Sequence, residues 1–238
     1  MSPPPDVKLP PGQRAIAGFP RFGTHLGRPA PAVGPDPAIA VRGAVAEPFS
    51  VPLTALAALP RRELVADFHC VAGWSATGLR WEGVAFGTLY RELIEPAVRP
   101  GPPVTHLVFG GLDGYESVVT AEDALAEDVL VAERLDGRPL GGDHGAPARL
   151  VSPAQYGFMS TKHLCRIEVH TAKPPERHDH ASRLSRLTFR ARLIRTHPRA
   201  RVWREERHPG LPAKALRPVY RALIAPIRLL CARGGHGA

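Results

Sequence analysis

Cysteine, methionine and long apolar runs are all scarce in this chain of 238 residues. It has three cysteines and two methionines. No stretch approaches 18 consecutive apolar residues, so a helical membrane span is not expected. Cys70, Cys165 and Cys231 are odd in number and show no paired spacing, which argues against a disulfide framework and for a reduced, cytoplasmic setting. The start, Met1-Ser2-Pro3-Pro4-Pro5-Asp6, has neither a basic n-region nor an apolar h-region, and no twin-arginine leader is expected. There is no CxxCH haem motif, no CxxC or HxxxH pair of zinc spacing, and no internal repeat.

The length suffices for one large domain with a smaller appendage. The net charge of +9 is unevenly placed. Residues 173–238 hold 16 Lys/Arg against 4 Asp/Glu, whereas residues 1–172 hold 15 against 18. A slightly acidic body therefore carries a strongly basic tail. Such a tail can attract nucleic acid, anionic lipid or an acidic protein, or it can be a solvated face. Few aromatics interleave its arginines and no nucleic-acid motif is visible, so nucleic acid is not the expected partner.

Residues 1–14 are Pro-rich and expected to be flexible, and closely spaced prolines between Gly27 and Pro37 predict an extended loop. Period-two or short apolar runs predict strands at 39–45, 64–68, 79–84, 105–109, 115–119, 128–134, 149–152 and 166–170. Short helices are expected at 53–59, 86–94 and 121–126, and Asp136-Gly137 reads as a tight turn. The fold class implied is α+β with mixed sheet. Residues 184–194 fit both a strand and a helix. Leu216–Leu230 reads as an amphipathic helix that Pro218 and Pro226 would start or kink.

Cys70 stands out in the run Asp67-Phe68-His69-Cys70-Val71-Ala72-Gly73-Trp74, where a strand meets a small-residue turn. A thiol there can be a core side chain, a nucleophile or a metal ligand. Arg149, between Ala148 and Leu150-Val151, is an arginine in an apolar strand and needs a polar or anionic partner to offset desolvation.

Four collinear pieces carry a resemblance. They are Phe19-Pro20-Arg21-Phe22-Gly23-Thr24-His25; the Cys70 run continuing to Gly78-Leu79-Arg80-Trp81-Glu82-Gly83-Val84; Gly111-Leu112-Asp113-Gly114-Tyr115; and His144-Gly145-Ala146-Pro147-Ala148-Arg149-Leu150-Val151 followed by Tyr156-Gly157-Phe158-Met159-Ser160-Thr161-Lys162. Together they resemble the molybdopterin-binding domain of the sulfite oxidase family, which includes methionine sulfoxide reductase catalytic subunits. The likeness covers about residues 15–172, with 173–238 as a basic, helical C-terminal extension.

The resemblance implies an oxidoreductase carrying a molybdenum–molybdopterin cofactor and transferring an oxygen atom with two electrons, on a sulfur oxyanion or an organic S-oxide. Cys70 would ligate molybdenum, with Tyr115 a second catalytic residue. Phe19, Arg21, Phe22, Gly23, Asp113, His144, Arg149, Ser160, Thr161 and Lys162 would contact the cofactor. Ser160-Thr161-Lys162 would grip its phosphate with hydroxyls, helix-start N–H groups and an ammonium. Arg80, Tyr115 and His69 are candidates to line an anion pocket. With no haem of its own, the chain would exchange electrons with a separate carrier protein, an acidic one docking on the basic tail being the natural expectation. The alternatives are a non-catalytic molybdopterin-binding module and an interaction protein recruited through its tail.

Overall fold

The computed structural model of the chain describes residues 8–22, 28–175, 197–209 and 211–232. Gly23 and His25 lie outside them, as does the ambiguous 184–194 segment.

Two sheets form the body. The first is ordered β1 (Arg14–Ala15), β5 (Trp74–Ala85), β8 (Leu130–Leu135), β10 (Arg149–Val151), with β4 (Arg61–His69) on β5 and β9 (Arg138–Pro139) on β8. The second is ordered β3 (Phe49–Pro52), β2 (Ala38–Gly43), β11 (Leu164–His170), β6 (His106–Gly111), β7 (Glu116–Thr120). Pairing is antiparallel except at β1–β5 and β2–β11, so both sheets are mixed as expected. The α+β class holds.

Alternation places the core. Ile39, Val41, Leu107, Phe109, Ile167 and Val169 of the second sheet meet Val84, Val131 and Leu150 of the first. Helical residues Phe86–Leu89, Tyr90–Ile94 and Glu95–Ala97 form one continuous stretch that adds Phe86, Leu89 and Ile94 to this core. The first sheet is buried on its other face too. There Trp74, Ala76, Leu79, Trp81, Leu130, Ala132 and Val151 form a second cluster with Cys70. Burial of both faces explains why β8 and β10 read as continuous apolar runs rather than clean alternation.

Two chain segments cover this second cluster: Ile16, Phe19 and Phe22 from the N-terminal side, Tyr220 and Ile224 from the C-terminal helix. That helix, α3 (Ala213–Ala232), follows the short helices α1 (Phe86–Leu89) and α2 (Ala121–Ala124) in chain order. α3 starts at neither proline and runs through both Pro218 and Pro226. Both prolines are exposed, so the carbonyls they leave without an N–H partner can be hydrated.

Part of the basic tail belongs to the body. Ala200 and Val202 are fully buried in the main core. Arg199 donates to Asp123 at 2.8 and 2.5 Å, Arg201 to Glu206 at 2.9 and 2.7 Å, and Arg217 to Glu205 at 2.7 Å through both Nε and Nη2. Among the described residues, the charges of Arg199, Arg201 and Arg217 are thus matched internally, while Lys214, Arg221 and Arg228 stay exposed on α3.

Candidate active site

Cys70 begins the turn between β4 and β5. Its N–H donates to Trp74 O at 2.9 Å, and Gly73 N–H donates back to Cys70 O at 2.9 Å. Gly73 is left-handed (φ 97°) and 3.0 Å of space separates its missing Cβ from Gly12 O, so glycine is required there. Gln13 fastens the turn from the N-terminal side. Its Nε2 donates to Cys70 O at 3.1 Å, and its Oε1 accepts from Ser75 Oγ at 3.1 Å. His69 is buried and shares a 2.7 Å bond with Ser75, with its pKa lowered first by desolvation.

The Cys70 side chain is 8% exposed. Burial pushes its pKa up to about 12, opposed by the Ala72 backbone, Arg207 and Lys162, each of which favours the thiolate. The site thus keeps a neutral thiol, the Ala72 backbone and the two cations only partly offsetting the desolvation of its anion, so its proton leaves only when a metal takes its place.

Arg149 is completely buried on β10. Its Nη1 donates to His144 O at 3.0 Å, Nη2 to Ser160 O at 3.1 Å and Nε to Leu150 O at 3.3 Å. The guanidinium carbon sits 5.2 Å from the Trp81 ring centroid, 5.3 Å from Phe68 and 6.0 Å from Phe19. Carbonyls and rings solvate the cation without neutralising it, and desolvation lowers its pKa to about 9.

His144 stacks on Phe19 at 4.6 Å, and among the described residues its buried Nδ1 has no hydrogen-bond partner. Burial, then Lys162 and Arg149, lower its pKa to about 4, so the ring is neutral. Lys162 donates to Asp143 O at 2.7 Å. Burial, then Arg149 and Arg21, lower its pKa to about 7. Arg21 pairs with Asp143 at 3.3 Å, and Phe22 packs edge-on against Trp74 at 5.5 Å. Gly145, left-handed at φ 104°, lets the His144 turn press against Lys162, whose Cα lies 3.1 Å from where a Cβ would stand. Beside His144 opens a cavity of about 370 Å³ lined by Leu135, Asp136, Arg138, Pro139, Leu140 and Gly141.

Several expected residues sit differently. No helix starts at Ser160-Thr161-Lys162; the triplet joins the 3-10 turn Gly157–Met159 to β11. Ser160 N–H donates to Gly157 O and Thr161 N–H to Met159 O, so those N–H groups are already used. The hydroxyls are used as well: Ser160 Oγ accepts from Ser152 N–H at 3.1 Å, and Thr161 Oγ1 lies 2.7 Å from Ser117 Oγ. Asp113 caps its own turn by accepting from Tyr115 N–H at 3.1 Å, while its charge reaches Lys162. Tyr115 Oη donates to Phe158 O at 2.6 Å. Arg80 is half exposed beside Glu63 at 3.9 Å, and is not brought to Cys70.

Sequence reasoning missed the C-terminal contribution. Arg207, 1% exposed, donates to Val71 O in the Cys70 turn and lies over the rings of Tyr156 at 5.0 Å and Tyr220 at 5.9 Å. His208 stacks on Tyr220 at 5.7 Å and bonds to its hydroxyl. Only the apolar stripe Leu216, Val219, Tyr220, Leu223, Ile227 and Leu230 hinted that α3 must cover something, and of these Val219, Leu223 and Leu230 stand exposed while Tyr220, with Ile224, makes the contact.

Residues 30–178 match the family model described as the oxidoreductase molybdopterin binding domain. The chain belongs to that family. Relatives include YuiH, an uncharacterized oxidoreductase of Bacillus subtilis (strain 168), 32% identical over 130 residues covering 54% of this chain and 62% of that protein. Another is MsrP of Gluconobacter oxydans (strain 621H), the catalytic subunit of a protein-methionine-sulfoxide reductase, 27% identical over 150 residues covering 57% and 47%. The chain thus spans about half to three-fifths of these relatives. The fold resembles the sulfane dehydrogenase SoxCD of Paracoccus pantotrophus, with a TM-score of 0.52 and 23% identity over 60% of this chain and 40% of that one.

The residues of this molybdopterin-binding domain fit an anionic pterin cofactor. Arg21 and Arg149, with Lys162 lowered to about 7, face the carboxylates of Asp143 and Asp113, and among the described residues His144 Nδ1 is left unsatisfied. A buried surplus of positive charge with spare hydrogen-bonding capacity asks for an anion.

Proposed function

We propose that the chain is a molybdenum-cofactor-dependent oxidoreductase that transfers one oxygen atom with two electrons at Cys70, acting on a sulfur oxyanion or an organic S-oxide. The observation that carries the reading is the joining of a buried thiol to buried, incompletely balanced cations: Lys162 acts electrostatically on both Cys70 and His144. When bound, the cofactor supplies a metal that changes oxidation state by two and accepts or releases an oxygen atom.

The chain's own groups hold and orient. Cys70 gives up its thiol proton and becomes a soft anionic ligand. Arg149, Lys162 and Arg21 bind the anionic end of the pterin, with Arg149 fixed by the carbonyls of His144 and Ser160. His144, neutral and stacked on Phe19, offers a nitrogen to the cofactor. Trp74 and Trp81 keep water from the thiolate side. In balance, an S-oxide takes two electrons and two protons to give a sulfide and water; in the opposite direction sulfite and water give sulfate, two electrons and two protons. A separate carrier protein takes or supplies the electrons one at a time. A reduced, cytoplasmic setting suits Cys70, Cys165 and Cys231, none of which is in a disulfide.

The test is metal and pterin analysis of protein from a host that makes the cofactor, beside Cys70→Ser. The reading expects about one molybdenum per chain and a visible thiolate-to-metal band lost in the variant. Protein without molybdenum or releasable pterin would overturn it.

A further inference from the structure

The segment that covers Cys70 lies outside the matched family domain, which ends at residue 178. From it, Arg207 reaches the Cys70 turn through Val71 O, and Tyr220 and Ile224 pack on the cluster containing Cys70 and Trp74. The rest of the inner face of α3 is buried or half-buried at Leu216, Ile227 and Cys231. Two further ties fix the segment to the body, Arg199 to Asp123 and Tyr156 N–H to Ala200 O at 2.9 Å, and Arg217 to Glu205 holds α3 to the stretch before it. Arg207 is fully enclosed: its Nε pairs with Glu205 Oε1 at 3.6 Å, a carboxylate shared with both arms of Arg217, and among the described residues its Nη2 has no hydrogen-bond partner. The cover therefore combines apolar bulk with a cation that has donors to spare.

We propose that this C-terminal segment is a specificity cap: Tyr220 and Ile224 roof the Cys70 site so that only a small, free substrate enters, and a sulfoxide borne on a folded protein or long peptide is excluded. The physical reason is reach. A methionine sulfur stands only about 4 Å from its own Cα, three bonds of ~1.5 Å with tetrahedral angles. A protein-borne sulfoxide must therefore bring its backbone into the space that Tyr220 and Ile224 occupy. Arg207, whose Nη2 has no hydrogen-bond partner among the described residues, adds a preference for a small substrate bearing partial or full negative charge on oxygen. The substrate half of this inference rests on the oxidoreductase reading above; the cap itself does not.

Two measurements separate them. In the full-length chain without cofactor, the rate of Cys70 modification is followed by mass mapping, using N-ethylmaleimide and the same maleimide on a polyethylene glycol chain, each normalised to glutathione. The cap predicts that the bulky reagent is disfavoured at Cys70 by about tenfold or more, as expected where access needs local opening. Ile224→Ala and, separately, Tyr220→Leu should reduce that discrimination several-fold. Val219→Ala, on the exposed side of the same helix, should leave it unchanged. Equal normalised rates for both reagents in the unaltered chain would overturn the cap, and so would discrimination untouched by either roof variant. In the loaded enzyme, kcat/KM for free methionine sulfoxide over that for a peptide-embedded one should fall in the same two variants. If no sulfur compound turns over, the substrate reading fails while the thiol measurement still decides the cap.

Discussion

Arg149 gives Nη1 to the main-chain carbonyl of His144 at 3.0 Å, and the His144 ring stacks in turn on Phe19, whose ring also lies 6.0 Å from the Arg149 guanidinium carbon. Cation, imidazole and phenyl ring form one unit on the outer face of the first sheet, and all three recorded Arg149 donors go to carbonyls. A buried arginine held without a carboxylate is costly by itself.

Replacing it should therefore separate folding from binding. Arg149→Met removes the charge while filling much of the volume. We expect a Tm within a few degrees of the parent before cofactor loading, since relief of desolvation offsets the lost bonds. Pterin retained through purification should fall by about tenfold, as for a lost charge-assisted contact of ~1.4 kcal/mol or more. Lys162→Ala should act in the same direction. Full pterin content in both variants would remove these residues from the cofactor site.

Thr161 makes the opposite prediction. Its hydroxyl bonds to Ser117 in a fully buried position, although its place in the motif suggested a phosphate contact. Thr161→Val should cost about 1–2 kcal/mol of stability by stranding a buried polar partner. Pterin per folded chain should hardly change. Chemical denaturation beside pterin analysis checks this; a loss of pterin at unchanged stability would mean that the hydroxyl serves the cofactor instead.

These two residues mark what was legible in the sequence. Periodicity found β2, β6, β7 and β11, and the Asp136-Gly137 turn carries the positive φ values, 50° and 75°, that such a pair favours. The motif found Arg149 because an arginine among apolar neighbours has few readings. It misjudged the surroundings of Ser160 and Thr161 because a short hydroxyl-rich run looks alike whether it caps a helix or ties two strands. Arg207 was invisible for another reason. Its contact with Val71 spans 136 positions and belongs to no periodic pattern.

Histidines should make the fold acid-labile. His144 is lowered to about 4 by burial and nearby cations, and His163 is lowered chiefly by burial. Their folded pKa values lie below the unfolded value of 6.5, so below that value the unfolded chain binds protons that the folded chain refuses. Stability is then fully present above pH ~6.5 and is lost as pH falls toward the folded values. Discounted for partial solvent screening, His144 should cost on the order of 1 kcal/mol by pH ~5. Urea titrations across this range should show a decline that His144→Gln partly flattens. An unchanged slope would mean that the ring titrates alike in the folded and unfolded chain.

The outer surface of α3 bears on the electron partner. Lys214, Arg221 and Arg228 are exposed and fall on one stripe at helical spacing, beside Arg217, which is already held by Glu205. If an acidic carrier docks on this stripe, Arg221→Glu with Arg228→Glu should slow its electron transfer by about tenfold or more at low ionic strength, because opposite charges steer encounter. The gap should close as salt approaches ~1 M, where the Debye length shrinks to about 3 Å. Turnover with a small uncharged dye should be unaffected, since neither side chain belongs to the inner face that covers Cys70. The dye assay thus separates a docking defect from a displaced helix. Slowing with both carrier and dye would indicate that α3 had moved, and equal rates with the carrier at every salt concentration would place the docking surface elsewhere.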